Sequence, residues 1–272
     1  MPELPEVETV KNGLKEYCLD QIIKSTVVRQ SKLRWQVPDD LSKLLSGQKI
    51  NSITRRGKYL LFNLDQGTLI VHLGMSGIIT VVKANTPIKK HDHVDINFSK
   101  NEILRYNDPR RFGSILYTDQ DINQHKLINH LGPEPLSQDF NTELVVTKIK
   151  NKKVPIKTWL MNASNVVGVG NIYANEVLFL ANIHPLTPAG KLTKSRCENL
   201  VFIVKKVIQK AIEAGGTTLK DFKNADGKPG YFKQQLHVYG RAGEACDKCS
   251  SILEEIKISG RQTVFCKICQ PL

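Results

Sequence analysis

The sequence predicts an α+β chain of two domains: an N-terminal antiparallel β-sandwich flanked by helices, then a helical domain that ends in a cysteine-rich hairpin. Three observations lead there. Apolar and polar residues alternate with period two from about residue 22 to 118, and the pattern turns helical beyond residue 120. Four of the six cysteines stand near the C-terminus in two Cys-x2-Cys pairs. At 272 residues the chain is long enough to bury two ordinary cores.

The elements follow in order. Between Glu3 and Tyr17, the residues Val7, Val10, Leu14 and Tyr17 form one apolar stripe, with Lys11, Lys15 and Glu16 off it, which predicts a leading helix. Lys58–Leu64, then Asp65-Gln66-Gly67, then Thr68–Leu73 read as strand, turn and strand. Val94, Ile96 and Phe98 alternate with Asp95 and Asn97, and Ser99-Lys100-Asn101 turns the chain into Ile103–Tyr106, as in an antiparallel sheet. The clearest helix is Ser195–Ala214, with Leu200, Val204, Val207, Ile208 and Ala211 on one face and Gly215-Gly216 to end it. Asp221–Gly230 is polar and rich in turn formers and reads as an exposed loop. The expected organisation is a β-sandwich domain with its leading helix over 1–120, a linker over 121–135, a helical domain over 136–225 and a metal module over 237–271.

Lysine and arginine total 39 against 26 acids, a formal charge of +13 with an isoelectric point near 9.4. That balance favours a polyanionic partner, because each phosphate neutralised releases condensed counterions; it does not separate DNA from RNA or an acidic membrane surface. No run of about eighteen apolar residues exists, which excludes a membrane-spanning helix. The opening MPELPEVETV is acidic and lacks the order of a signal peptide, so the cytoplasm is expected.

Cys246-x2-Cys249 and Cys266-x2-Cys269 have the spacing of a four-thiolate zinc site, while Cys18 and Cys197 stand alone in apolar-rich segments. Four cysteines leave no open coordination position, so one structural, non-catalytic Zn2+ is expected. Lys257, Arg261 and Lys267 lie between or beside the pairs and would put positive charge on the hairpin.

The opening Met1-Pro2-Glu3-Leu4-Pro5-Glu6-Val7-Glu8 closely resembles the start of bacterial formamidopyrimidine-DNA glycosylases. So do Arg56-Gly57-Lys58-Tyr59, His72-Leu73-Gly74-Met75-Ser76-Gly77, and Asp108-Pro109-Arg110-Arg111-Phe112-Gly113. Gly168 to Glu176 resembles the family's helix–two-turn–helix signature, and Gly215 to Phe222 and the four-cysteine finger complete the set, in order along the whole chain. One departure is Met161-Asn162-Ala163, where family members commonly carry an acid; Asn162 is assigned no role.

The resemblance implies a bifunctional DNA glycosylase and AP lyase of bacterial base-excision repair, acting as a monomer on double-stranded damaged DNA. It would flip out and excise oxidised purines, 8-oxoguanine and formamidopyrimidines, through a Pro2 Schiff base and then cut the strand by β,δ-elimination. An N-terminal proline suits this, because its secondary amine forms an iminium with no N–H proton to lose. The resemblance makes Glu3 the general acid and base, Lys58 a phosphate contact that assists elimination, and Arg261 a phosphate clamp and the acid of the second elimination. It makes Met75, Arg110 and Phe112 the wedge that fills the gap left by a flipped base. It implies further DNA contacts at His72, His91, Lys152, Lys157, Asn171, Lys220 and Tyr239. Pro2 and Glu3 would equally serve an oxidised-pyrimidine glycosylase of the same superfamily; Leu4, the wedge and the Gly215 loop favour the purine branch. A non-catalytic DNA-binding protein with a zinc hairpin accounts for the charge and the cysteines but leaves Pro2, Glu3 and Lys58 without purpose.

Overall fold

The computed structural model describes residues 2–216 and 236–272. These form two compact units. One runs to Asn129 and takes in Gly215 and Gly216; the other holds His130–Ala214 and the chain from residue 236 to Leu272. Among the described residues no helix is long and apolar enough to cross a membrane.

The first unit opens with α1 (Leu4–Cys18), and Leu4, Val7, Val10, Leu14 and Cys18 on its inner face are buried. After it come β1 (Ile23–Val28), α2 (Leu41–Leu45), β2 (Ile50–Arg56), β3 (Tyr59–Leu64), β4 (Thr68–His72), β5 (Ile78–Lys83), β6 (Asp92–Phe98), β7 (Glu102–Asn107) and β8 (Ser114–Thr118). The strands make two four-stranded sheets, in the orders β1-β6-β7-β5 and β2-β3-β4-β8, and every pairing is antiparallel. Phe62, Leu69 and Val71 of one sheet and Val94, Ile96 and Leu104 of the other share one core with α1, which makes the unit a β-sandwich capped by a helix.

The alternation in β6 does not carry Asp95 to solvent. Asp95 is buried, held bidentately by Arg105 at 2.9 Å and bonded by Arg29 at 2.7 Å, while Arg105 also donates to the carbonyls of Thr86 and Pro87. The two guanidiniums overcome the desolvation of the Asp95 carboxyl and hold it below its ordinary range. A buried ion pair thus covers a strand face that periodicity alone assigns to water.

The second unit contains α3 (Thr142–Ile149), α4 (Ile156–Leu160), α5 (Asn171–Leu180), α6 (Lys194–Glu213), and the hairpin β9 (Glu254–Ile258) with β10 (Arg261–Phe265). Thr193 caps α6, its side chain accepting from Arg196 N, and Cys197, Leu200, Val204, Ile208 and Ala211 face inward. The metal module shares its core with α5: Phe179 packs with Val238, Leu253, Val264 and two of the cysteines.

Candidate active site and nucleic-acid interface

Pro2 is buried, and α1 starts two residues after it. Glu3 is the N-cap rather than a helical residue, with extended backbone, and only 1% of it is exposed. It forms a reciprocal capping box with Glu6: its side chain accepts from Glu6 N, and Glu6 Oε2 accepts from Glu3 N at 2.9 Å. Pro5 in the first turn gives up a donor the helix does not use. The carboxylate is therefore fixed at the positive end of the helix dipole, beside the proposed nucleophile. Gly216, at φ +81°, closes on the same turn; a Cβ there would lie 3.1 Å from Glu6 Cγ.

Lys58 does not lie in a strand. Gly57 and Lys58 form the two-residue turn between β2 and β3, and Gly57 takes φ +58°, as a glycine in the first central position of such a turn does. The hairpin is tied to α1 by Arg55, whose Nε donates to Glu8 at 2.7 Å and whose Nη1 donates to the Gly57 carbonyl at 2.9 Å. Lys11 also pairs with Glu8. Glu8 thus fastens the lysine-bearing turn to the helix that carries Glu3.

His72 ends β4 opposite Tyr59, with the two rings 4.8 Å apart. Its Nδ1 accepts from Gly74 N at 3.0 Å, which leaves Nε2–H as its donor. Burial, with the positive charges of Lys58 and Arg34 adding to it, pushes the imidazole down to about 4, so it is neutral at physiological pH. Met75 and Phe112 are exposed apolar residues, and the Arg110 guanidinium lies 4.9 Å from the Phe112 ring centroid. Their loops touch through backbone: a Cβ on Gly74 would fall 2.4 Å from Gly113 N. His91 is half-buried, its carbonyl accepting from Asp108 N.

In the second unit Lys152, Lys157 and Arg261 line one cavity of about 640 Å³, with Trp159, Asn162 and Ser259. Arg261 is the exposed first residue of β10, after a turn whose central Ser259 and Gly260 both have positive φ, 48° and 74°. Lys157 stands apart from the expected set of surface contacts. It is 1% exposed, and its ammonium donates to Thr263 Oγ1 at 2.7 Å, the Gln262 carbonyl at 3.1 Å and Asn175 Oδ1 at 3.5 Å. It ties α4 to β10. Asn171 opens α5 and donates to the same Gln262 carbonyl at 3.1 Å, so helix and hairpin meet at one acceptor. Lys220, and the Asp221–Gly230 stretch expected to form an exposed loop, lie outside the described residues.

No expectation attached to Glu176, yet its buried carboxylate accepts from three successive backbone amides, His237, Val238 and Tyr239, at 2.8 to 2.9 Å. That fixes Tyr239. Glu176 is the one charged residue of α5, and that was the available signal, since a buried charge must be partnered.

The four cysteine sulfurs lie within 4.8 Å of one another, with Cys246 to Cys269 at 3.9 Å and Cys249 to Cys266 at 3.5 Å. A zinc–thiolate tetrahedron with bonds of about 2.3 Å has edges of about 3.8 Å, so the donors fit that metal. Lys248 N and Cys269 N each point at a cysteine sulfur at 3.4 Å, and the Ser251 hydroxyl lies 3.0 Å from Cys249 Sγ and 3.1 Å from Cys266 Sγ. Such polar contacts stabilise thiolates around a closed, structural zinc.

Three family models match the chain: the formamidopyrimidine-DNA glycosylase N-terminal domain over residues 1–115, its H2TH domain over 131–223, and the zinc finger found in FPG and IleRS over 243–272. The chain is 53% identical to the formamidopyrimidine-DNA glycosylase of Shewanella halifaxensis over 272 residues, covering all of both chains. Lactococcus lactis Fpg solved with DNA containing an abasic site superposes with a TM-score of 0.92 at 36% identity, over 99% of this chain and 100% of that one. The same Lactococcus protein with DNA containing N7-benzyl-Fapy-dG gives 0.92 at 36% identity, covering all of both chains.

Proposed function

The chain belongs to the formamidopyrimidine-DNA glycosylase family, and from that premise we propose that it excises oxidised purines from duplex DNA with Pro2 as nucleophile. The observation that carries this reading is the capping box, which holds the buried Glu3 carboxylate next to Pro2 at the start of α1.

Removal of Met1 makes the Pro2 nitrogen a secondary amine. That nitrogen bonds to C1′ of the flipped nucleotide as the glycosidic bond breaks and the purine leaves. Glu3 protonates the ring oxygen as the deoxyribose opens, which gives an iminium between Pro2 and C1′. The iminium acidifies the C2′ hydrogen. Loss of that proton expels the 3′ phosphate, and a second elimination expels the 5′ phosphate, so the strand is cut on both sides. Lys58 contacts the phosphates and assists elimination, and Arg261 clamps a phosphate and donates the proton of the second step.

Met75 and Phe112 replace the stacking lost when the base turns out, and Arg110 hydrogen-bonds the orphaned cytosine. His72, His91, Lys152, Asn171, Lys220 and Tyr239 bind the backbone and register the duplex. For Lys157 the contribution is indirect, through the hairpin that carries Arg261. The zinc, held by Cys246, Cys249, Cys266 and Cys269, supplies no chemistry to the reaction and shapes that hairpin. The protein works as a monomer in the bacterial cytoplasm.

Borohydride trapping on a duplex with a single 8-oxoguanine opposite cytosine tests the proposal. A covalent adduct mapping to the N-terminal peptide is expected, with at least tenfold less on a thymine-glycol duplex. An adduct on any other residue overturns the nucleophile, and preferential trapping on thymine glycol moves the protein to the pyrimidine branch.

A further inference from the structure

Met75 and Phe112 are 37% and 45% exposed, too open for core packing alone to fix where they point. Their placement has to come from the loops beneath, and those loops converge on one carboxylate. Asp108 has no exposed surface. Its Oδ1 accepts from Ser76 Oγ at 2.7 Å, and its Oδ2 accepts from Tyr106 OH at 3.1 Å and Gly113 N at 2.9 Å. Its main chain is held as well, its N–H by the His91 carbonyl at 3.1 Å and its carbonyl by His93 Nε2 at 2.8 Å. Ser76 Oγ in turn accepts from Arg110 N at 3.2 Å, which closes a ring of bonds between the two loops.

That ring also holds strain. Arg111, between the two wedge residues of its loop, sits at φ +57°, a conformation non-glycine residues rarely adopt, and its N–H is held by the Asp108 carbonyl at 3.2 Å. Gly74 and Gly113 let the backbones close to a distance at which any side chain would overlap Phe112, Tyr106 or His72. Burial together with the Asp108 carboxylate pushes the Tyr106 hydroxyl far above its ordinary range, so it remains a donor at every working pH.

We infer that Asp108 is the positioning residue of the wedge: it locks Met75, Arg110 and Phe112 into one preorganised surface, and so governs helix opening rather than bond chemistry. The inference rests on the wedge reading proposed above. An insertion surface assembled from exposed loops would otherwise lose the ordering entropy of two loops each time it enters a helix. One buried acceptor bonded to both loops removes that cost in advance.

The test uses full-length, zinc-loaded protein in single-turnover excision of 8-oxoguanine opposite cytosine. Asp108→Asn, Ser76→Ala and Phe112→Ala are compared singly and combined, with borohydride trapping on a single-stranded abasic oligonucleotide as a measure of chemistry without a helix to open. Asp108→Asn should slow duplex excision about tenfold or more and leave single-strand trapping within about twofold. Ser76→Ala, which removes only the two bonds that Ser76 Oγ makes between the loops, should slow it in the same direction and keeps the test open if Asp108 variants fold poorly. In a Phe112→Ala background the Asp108 change should cost less than about twofold, because both act on one surface. Additive losses, an equal loss in single-strand trapping, or wild-type duplex rates in both Asp108→Asn and Ser76→Ala overturn the inference. A wild-type duplex rate for Phe112→Ala alone overturns the wedge reading itself, and this inference with it.

Discussion

Replacing Lys157 with alanine should loosen the zinc hairpin before any DNA is present. The ammonium is buried and makes two well-formed hydrogen bonds, 2.7 Å to Thr263 Oγ1 and 3.1 Å to the Gln262 carbonyl, with a longer contact to Asn175. Each acceptor left unsatisfied costs about 1–3 kcal/mol, and deleting the packed stem adds about 1 kcal/mol or more, so a loss of roughly 3–5 kcal/mol is expected. Asn171 still bonds the Gln262 carbonyl and Asn175 Oδ1 still accepts from Val264 N, which favours the lower end. The assay is amide hydrogen exchange across β9 and β10 in free protein. A loss of 3 kcal/mol corresponds to exchange roughly 150-fold faster there, with β2–β4 unchanged. Weakened DNA binding alone would not separate this role from direct phosphate contact; exchange without DNA does. Unaltered hairpin protection in Lys157→Ala would refute the reasoning and return Lys157 to the DNA-contacting set.

Glu3→Gln should retain lesion binding and lose base release by at least about a hundredfold in single-turnover kinetics, as loss of an acid–base group does; an unchanged rate removes Glu3 from that role. Arg261→Ala should flatten the plot of log affinity against log salt by about one unit, the signature of one lost phosphate, and an unaltered slope would show the exposed arginine makes no such contact. Chelation of zinc, or Cys246→Ser, should abolish DNA binding while circular dichroism still reports the sandwich, since its core contains no residue of the metal module. For His72 the folded pKa is depressed from 6.5 to about 4, so the unfolded chain takes up the proton first as pH falls. Its contribution to stability is complete above about pH 6.5 and declines between there and pH 4; His72→Gln should remove that part of the slope in denaturant midpoints measured across the window.

Much of this was legible in residue patterns, for physical reasons that also mark where legibility ends. Period two found the sheets because one face of each is apolar, and the cysteine spacing found the metal site because four thiolates have few geometries. The stripe along Leu200, Val204 and Ile208 found α6. Asp95 and Lys157 read as surface charges because a pattern of polarity carries no information about partners distant in sequence: Arg105 is ten residues from Asp95 across a hairpin, and Thr263 is over a hundred from Lys157. Asp108 stood in a recognisable motif, but its work is visible only once Ser76, Tyr106 and Gly113 are seen around it. Lys58 was displaced by one position, from strand to turn, because the turn that Gly57 opens with positive φ takes Lys58 as its second residue, so the strand begins a residue later than alternation suggests.

The closure of Gly216 onto Glu6 bears on the order in which the N-terminal turn is completed during the protein's own synthesis. The core of the sandwich is built from residues up to Tyr117, which leave the ribosome first, and domains generally fold as they emerge. Gly216 arrives far later, after α6, yet it belongs to the same unit as α1. A nascent chain therefore presents Pro2 and Glu3 on a finished scaffold while the contact that closes over their helix turn is still unmade. Completion of this turn is left to a link spanning 210 positions, the kind of long-range closure that forms slowly. The helix turn that carries the proposed nucleophile is in this way fully framed only when the second unit has also been translated.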